Sequence, residues 1–454
     1  MGQQDTPPSI TPDMRELAAG MDHASFRRIW QHADSEQAEQ GFLAACYEIV
    51  AKQANSEGEY YLAHDSANHG LRCAKASGFP PHRLVAAKTT ALARSGATHE
   101  AQRILDEFQA SEQVDGSISS AQARLLRDRA LAAKGDARSE LMLKAAEWAS
   151  RAKEYAGKEG GDWSYPANQE AQFLFFAGRY EDAQDRAKAV INHIEDRPDA
   201  GSMWNQTNLA EMRLVLGELG QAGQHYAKAA GLGIQTPGDL AANRAVASLL
   251  LAEQEGDPSM LDQWFPKPAV IIFAGHIPDS EGRATPRLPE SACRPEGPAC
   301  RALAAQVAKI GAVEGICAGA PGGDVLFAEA IRTAGGRTTI IEPFSRERIR
   351  EVADARGYDW PSRLESVYQH AGHIHSITCA EDVDEDVQCD YANQVMLGVA
   401  LLRTKRINGR LHAVVLWDES DRENPKPGGT GHFVQLCLQA GVPIDIINSN
   451  SLSS

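Results

Sequence analysis

The stretch Ala269–Asp279, AVIIFAGHIPD, decides the fold. Apolar and small residues run unbroken to Ala274, Gly275 ends the run, and His276 and Asp279 follow. An uninterrupted apolar run reads as a strand covered on both faces, the environment of a parallel sheet. Five further strand-type runs lie at 313–318, 337–342, 373–378, 411–417 and 443–448. Helix-period segments lie between them at 299–310, 324–334, 345–357, 389–407 and 430–440. Strands alternating with helices of this length predict a parallel sheet with helical crossovers. Ligands of such sheets bind beyond the carboxyl ends of the strands, so the residues that follow the runs are the candidate site.

Three loops carry it. In the first, Gly275 allows close backbone approach, and Arg283 and Arg287 could grip a phosphate or simply be solvated loop charges. His276 fits a ligand contact, acid–base chemistry or a structural histidine equally well. In the second, Gly319, Gly322 and Gly323 permit a tight turn into a helix. There Asp324 fits either the N-cap of that helix or a contact to a ribose hydroxyl or base edge, and Glu329 either reaches the site or pairs along the helix face. In the third, Trp417 and Asp418 end a strand, a polar insertion follows, and Gly428, Gly429 and Thr430 open a helix with two backbone N–H groups and a hydroxyl. If the protein is an enzyme, His276, Asp324 and Glu329 are the candidate acids and bases. No stretch matches a P-loop, a clean dinucleotide fingerprint or a nucleophile elbow.

The 454 residues are 43% hydrophobic and 23% charged, ordinary for a globular chain of two or three domains. A net charge of −16 argues against broad binding to nucleic acid or anionic membrane. The eight cysteines show no C-x-x-C pair, so no metal site is expected and the thiols are read as reduced and cytoplasmic. No apolar run is long enough to span a bilayer. MGQQDTPPSITPD lacks a secretory pattern, while Gly2 with Thr6 loosely fits a myristoylation motif.

Residues 20–255 are rich in helix formers. Gly58, Gly96, Gly135, Gly178 and Gly217 recur at spacings of 38, 39, 43 and 39, and all but Gly135 are followed five residues later by Ala63, Ala101, Ala183 and Ala222. This period predicts helix–turn–helix units in which the Gly sits where two helices approach and the Ala packs them. In ANQEAQFLFFAGRYEDAQDRAKAVINHI, residues 167–194, Phe173, Phe176, Tyr180, Ala183, Ala187 and Val190 fall on helical faces. This unit resembles the tetratricopeptide repeat with its G-x-Y-x-x-A core. The resemblance implies a solenoid with a concave surface for a protein partner or self-assembly, where Trp163, Tyr165, Trp204 and Asn208 could line a groove. The composition changes at 255–268, which puts the junction near 262.

Read in order, AGHIPD, GICAGAPGGDVLFAEA and GGTGHF resemble the SLOG superfamily, the Rossmann-like fold shared by DNA-processing protein A and the Lonely Guy phosphoribohydrolases. That resemblance implies binding of nucleotides or nucleotide-derived signals, with Gly275, Gly322, Gly323, Asp324, Gly429 and Thr430 at the site. The catalytic members carry P-G-G-x-G-T-x-x-E in one run. Here Pro321, Gly322, Gly323 and Glu329 keep the spacing, but Val325 and Leu326 replace the Gly-Thr.

The expected architecture is therefore α + α/β in two domains. Residues 1–20 are a flexible N-terminus, 21–262 an all-α helical-repeat solenoid, and 263–454 a Rossmann-like parallel sheet with helices on both faces. The expected function is a signalling or defence sensor that needs no cofactor, binds a nucleotide-like small molecule and engages a protein partner through its repeats. The alternatives are a hydrolase of N-glycosidic or phosphate bonds and a non-catalytic scaffold.

Overall fold

The computed structural model describes residues 40–111, 114–233, 236–279, 287–377 and 383–452. Residues 1–20, with Gly2 and Thr6, and Arg283 in the first loop lie outside the described residues. The chain divides into two units, Met1–Pro266 and Lys267–Ser454.

Among the described residues of the first unit five helical hairpins follow one another: α1 (Gln40–Glu57) with α2 (Tyr60–Ser77), α3 (His82–Arg94) with α4 (Thr98–Ser111), α5 (Gly116–Ala132) with α6 (Asp136–Lys158), α7 (Ser164–Phe176) with α8 (Tyr180–Glu195), and α9 (Met203–Val215) with α10 (Leu219–Leu232). The long α11 (Pro237–Glu253) and the short α12 (Leu261–Trp264) complete it. The recurrent glycines sit in the turns of these hairpins, with φ of 81° at Gly58, 93° at Gly96, 56° at Gly135 and 79° at Gly178 and Gly217. Their reason differs from the one expected. A β-carbon at Gly96, Gly135, Gly178 or Gly217 would meet nothing within 4 Å, so no close helix approach requires them. The left-handed backbone of the reversal does, at about 1–2 kcal/mol for any L-residue placed there. Packing falls to the alanines: Ala63, Ala101, Ala183 and Ala222 are fully buried. Phe173, Phe176, Ala187 and Val190 are buried as their spacing predicts, whereas Tyr180 is half exposed, edge-on to Phe175 at 5.2 Å.

The helix α11 packs back on earlier hairpins of this unit. A β-carbon on Gly238 in α11 would stand 2.4 Å from the backbone nitrogen of Gly58, at the end of α1. Asp239 pairs with Arg94 of α3 at 3.4 Å, and Glu253 with Arg138 of α6 at 2.6 Å. Asn208, expected at a groove, is buried and accepts a hydrogen bond from Asn168 at 2.6 Å, and Trp163 stacks on His193 with centroids 4.0 Å apart. Tyr165 and Trp204 are exposed.

The second unit is a six-stranded sheet in which every pairing is parallel, in the order β4-β3-β2-β1-β5-β6. The strands are β1 (Ala269–Gly275), β2 (Ala312–Cys317), β3 (Arg337–Glu342), β4 (His373–Ser376), β5 (Arg410–Trp417) and β6 (Ile444–Asn448). The connecting helices are α13 (Glu290–Cys293), α14 (Pro298–Ile310), α15 (Gly323–Thr333), α16 (Arg346–Arg356), α17 (Trp360–His370), α18 (Glu385–Arg406) and α19 (Thr430–Gln439). Packing on both faces explains the apolar strands: β1 from Ala269 to Phe273 and β5 from Ala413 to Trp417 are buried throughout. The helix α17, with Pro361 in its first turn, had not been anticipated; it shares the β3–β4 crossover with α16. Chain order reverses between β1 and β5, which opens a crevice beyond their carboxyl ends.

No helix among the described residues is long and apolar enough to cross a membrane.

Candidate functional site at the β1–β5 crevice

His276 ties the three loops together. Its amide donates to the Leu416 carbonyl of β5 at 3.2 Å, and its own carbonyl accepts from the Gly323 amide at 3.0 Å. Its Nε2 lies 3.1 Å from Asp418 Oδ1 and 3.1 Å from the Asp418 backbone nitrogen. With the proton on Nε2 the ring donates to the carboxylate; with it on Nδ1 the ring accepts from the amide. Burial, assisted by the Arg287 charge, pushes His276 below the ordinary imidazole value against the pull of Asp418. A neutral ring at pH 7 follows, with one donor and one acceptor. Burial opposes ionisation of Asp418, yet the Ser420 amide and hydroxyl and His276 hold its carboxyl below the usual value.

The glycines make this approach possible. A β-carbon on Gly275 would lie 2.8 Å from Phe273 Cζ, and one on Gly323 3.0 Å from the Gly275 α-carbon. The end of β1 and the start of α15 therefore touch backbone to backbone. Gly322 has φ of 97°, and a β-carbon there would meet Pro278 Cδ at 2.7 Å and the His276 carbonyl oxygen at 2.8 Å. Gly319, with φ of 74°, backs onto Ile340 and the Tyr368 hydroxyl. Gly428, with φ of 73°, backs onto Cys389 and Asp386 of α18, its carbonyl accepts from Asn393 at 3.2 Å, and Gly429 caps α19, whose first residue is Thr430.

The polar side chains depart from a phosphate cradle. Gly322, and not Asp324, caps α15. The buried Asp324 carboxylate turns back to the loop before its helix, taking the Ala320 amide at 3.1 Å and interacting with the amides of Gly319 and Ala318. Burial raises it to about 7 against those hydrogen bonds. Asp279 takes the amides of Arg287 and Leu288 at 2.7 and 2.8 Å and faces the Arg287 guanidinium at 3.8 Å. The Trp417 indole donates to Asp421 at 2.8 Å, and the Asp421 carboxylate lies against the first turn of α19, where a β-carbon on Gly431 would be 2.9 Å from either oxygen. Of the backbone donors in these loops, the Gly323 amide meets the His276 carbonyl, the Gly429 amide the Lys426 carbonyl and the Ala320 amide the Asp324 carboxylate. Asp421 sits in the polar insertion with nothing in its sequence context to mark it.

Glu329 is committed elsewhere. It forms a two-point ion pair with Arg363 of α17, the Nε contact being 2.9 Å, and Arg363 also donates to the Cys293 carbonyl at 2.8 Å. The geometry brings together Gly275, His276, Gly322, Gly323, Asp418, Asp279 and Arg287, and separately sets Asp421 on α19 beside Thr430. It leaves Glu329 on the far side of an ion pair. Among the described residues no group of three or more His, Cys, Asp or Glu side chains could hold a metal ion.

No family model matches this chain, and no curated protein is significantly similar to it.

Proposed function

We propose that the second unit binds a nucleotide-derived ligand in the crevice between β1 and β5, and that the helical unit carries the output to a protein partner or a second copy. The observation that carries this reading is the switch point itself, with His276 joining the loops after β1, β2 and β5 in contacts of 3.0–3.2 Å. The resemblance of AGHIPD, GAPGGD and GGTGHF to the SLOG superfamily supports the ligand class, and the hairpins with G-x4-A spacing support a tetratricopeptide-like role in a signalling or defence sensor. Tyr61, Tyr165, Tyr180 and Trp204 are exposed aromatic groups among the described residues of this unit, available to a partner.

The hydrolase alternative retains one favourable observation. Asp324, raised to about 7, is a carboxyl that holds a proton near neutrality. It loses Glu329, whose carboxylate is held by Arg363.

Thermal melts of the full chain against nucleosides, nucleotides and NAD test the reading. A raised melting temperature with at least one of them is expected, and a panel without any shift refutes it. Incubation with NAD or nucleoside monophosphates separates the two readings: intact ligand favours a sensor, released base favours the hydrolase.

A further inference from the structure

The helix α18 packs one side on the sheet, where Ala392, Met396 and Ala400 are buried. Its opposite side carries a line of six residues: Val387, Tyr391, Gln394, Gly398, Leu401 and Lys405. At about 100° per residue, all six fall within about 40° of the direction away from the sheet. Val387, Tyr391 and Leu401 are 56%, 51% and 45% exposed, and Leu402 flanks them at the surface. A β-carbon on Gly398 would meet nothing within 4 Å. Steps that alternate between four residues and three are the a/d spacing with which one helix meets another. The sheet already takes the inner side of α18, so this outer seam is suited to a helix from elsewhere.

The line is its own complement. Reversed about the level of Met396, it sets Tyr391 against Leu401 of a second copy and Val387 against the alkyl stem of Lys405. Gln394 then faces Gly398, whose missing side chain leaves room for the amide. The same reversal carries the Lys405 ammonium to the first turn of the second copy, where Asp384 caps the helix and is exposed. Neither Asp384 nor Lys405 forms an ion pair among the described residues. Glu385 and Asp386 are already paired with Arg348 and Lys426, each at 2.8 Å, and play no part in this match. A parallel arrangement would set Lys405 beside Lys405 and align the two helix dipoles, both unfavourable.

We infer that the outer face of α18 is the contact between two copies of this chain, packed antiparallel about a two-fold axis near Met396. A seam of about 27 Å from one helix covers less than the about 800 Å² per partner of a stable interface, so the pair forms and separates with concentration. The inference goes beyond the proposed function, which gives any second copy to the helical unit, and does not depend on the ligand reading.

The test is sedimentation velocity of the full chain from about 1 to about 200 µM, the range in which so small an interface associates. The average mass is expected to rise from one chain toward two. Leu401→Glu puts a charge in the seam and weakens association about tenfold or more, with the circular dichroism spectrum unchanged. Should that variant fail to fold, Tyr391→Glu provides the same readout. Asp384→Lys and Lys405→Glu each weaken the pair, and the double variant recovers it. The two positions are about 32 Å apart along one helix, so only a contact between copies lets one change repair the other. The mass of one chain at every concentration overturns the inference. So does association that Leu401→Glu and Tyr391→Glu leave unchanged, because the contact then lies on another surface. A double variant no stronger than the single ones overturns the antiparallel arrangement. Each of these results leaves the proposed ligand binding standing.

Discussion

Replacing Asp324 by Asn isolates the cost of burying an ionisable group beneath the crevice. Burial penalises the charge and pushes the folded carboxyl up to about 7, whereas an aspartate in the unfolded chain titrates near 3.8. Between those values the folded unit keeps a proton that the unfolded chain has released. The stabilisation is thus complete below the unfolded value and disappears as pH rises through the folded one. A displacement of about three units at 1.36 kcal/mol each bounds the effect near 4 kcal/mol, of which about 3 kcal/mol falls between pH 5 and 8. Asn keeps an acceptor for the Ala320 amide and cannot ionise. Urea melts at pH 5, 6, 7 and 8, read by pulsed hydrogen exchange on peptides from β1 and β2, follow this unit alone. The parent should lose stability steadily over that range. Asp324→Asn should be flatter by about 3 kcal/mol and the more stable of the two at pH 8. A variant that keeps the parent's slope, or is weaker than the parent at pH 8, would refute the reasoning, because the carboxylate would then be ionised at little cost.

Further substitutions test the packing around the site. Gly322→Ala should destabilise by roughly 3 kcal/mol or more, since its φ is 97° and the new carbon overlaps Pro278 and the His276 carbonyl; Gly335→Ala, at φ of 79° in open space, should cost only about 1 kcal/mol, and urea midpoints compare them. Arg363→Met strips Glu329 of its partner and should cost about 2–3 kcal/mol by the same assay, while Glu329→Gln leaves ligand affinity unchanged by calorimetry. In the helical unit, Asp239→Ala removes the partner of Arg94 and should cost on the order of 2 kcal/mol, visible as early exchange of peptides from both α3 and α11.

Much of the second unit was legible because its signals are local. Apolar runs mark strands, and glycine before a helical segment marks a turn. All six strands stand where those runs lie, within a residue or two of the expected ends. The segment at 360–370 escaped notice because a second helix within one crossover changes neither strand count nor topology. In the first unit the glycine period located the hairpins, but assigned the glycines a contact that belongs to the alanines. Period alone cannot tell a residue needed for its backbone angle from one needed for its small size.

The site divides along the same line. The sequence alone determined which loops would meet, because alternating strands and helices force every β-to-α loop to one end of a parallel sheet, and Gly275, Gly322 and Gly323 are what a backbone contact there requires. Only the tertiary structure decided which polar groups meet at that end. Whether an amide faces a ligand or a side chain depends on carboxylates from distant segments: Asp279 reaching the Arg287 amide, Asp324 turning away from its own helix, Asp421 held by Trp417, Glu329 drawn to Arg363. Electrostatic partnership acts through space over a few ångströms, and one chain in linear order does not record which of its charges will be neighbours.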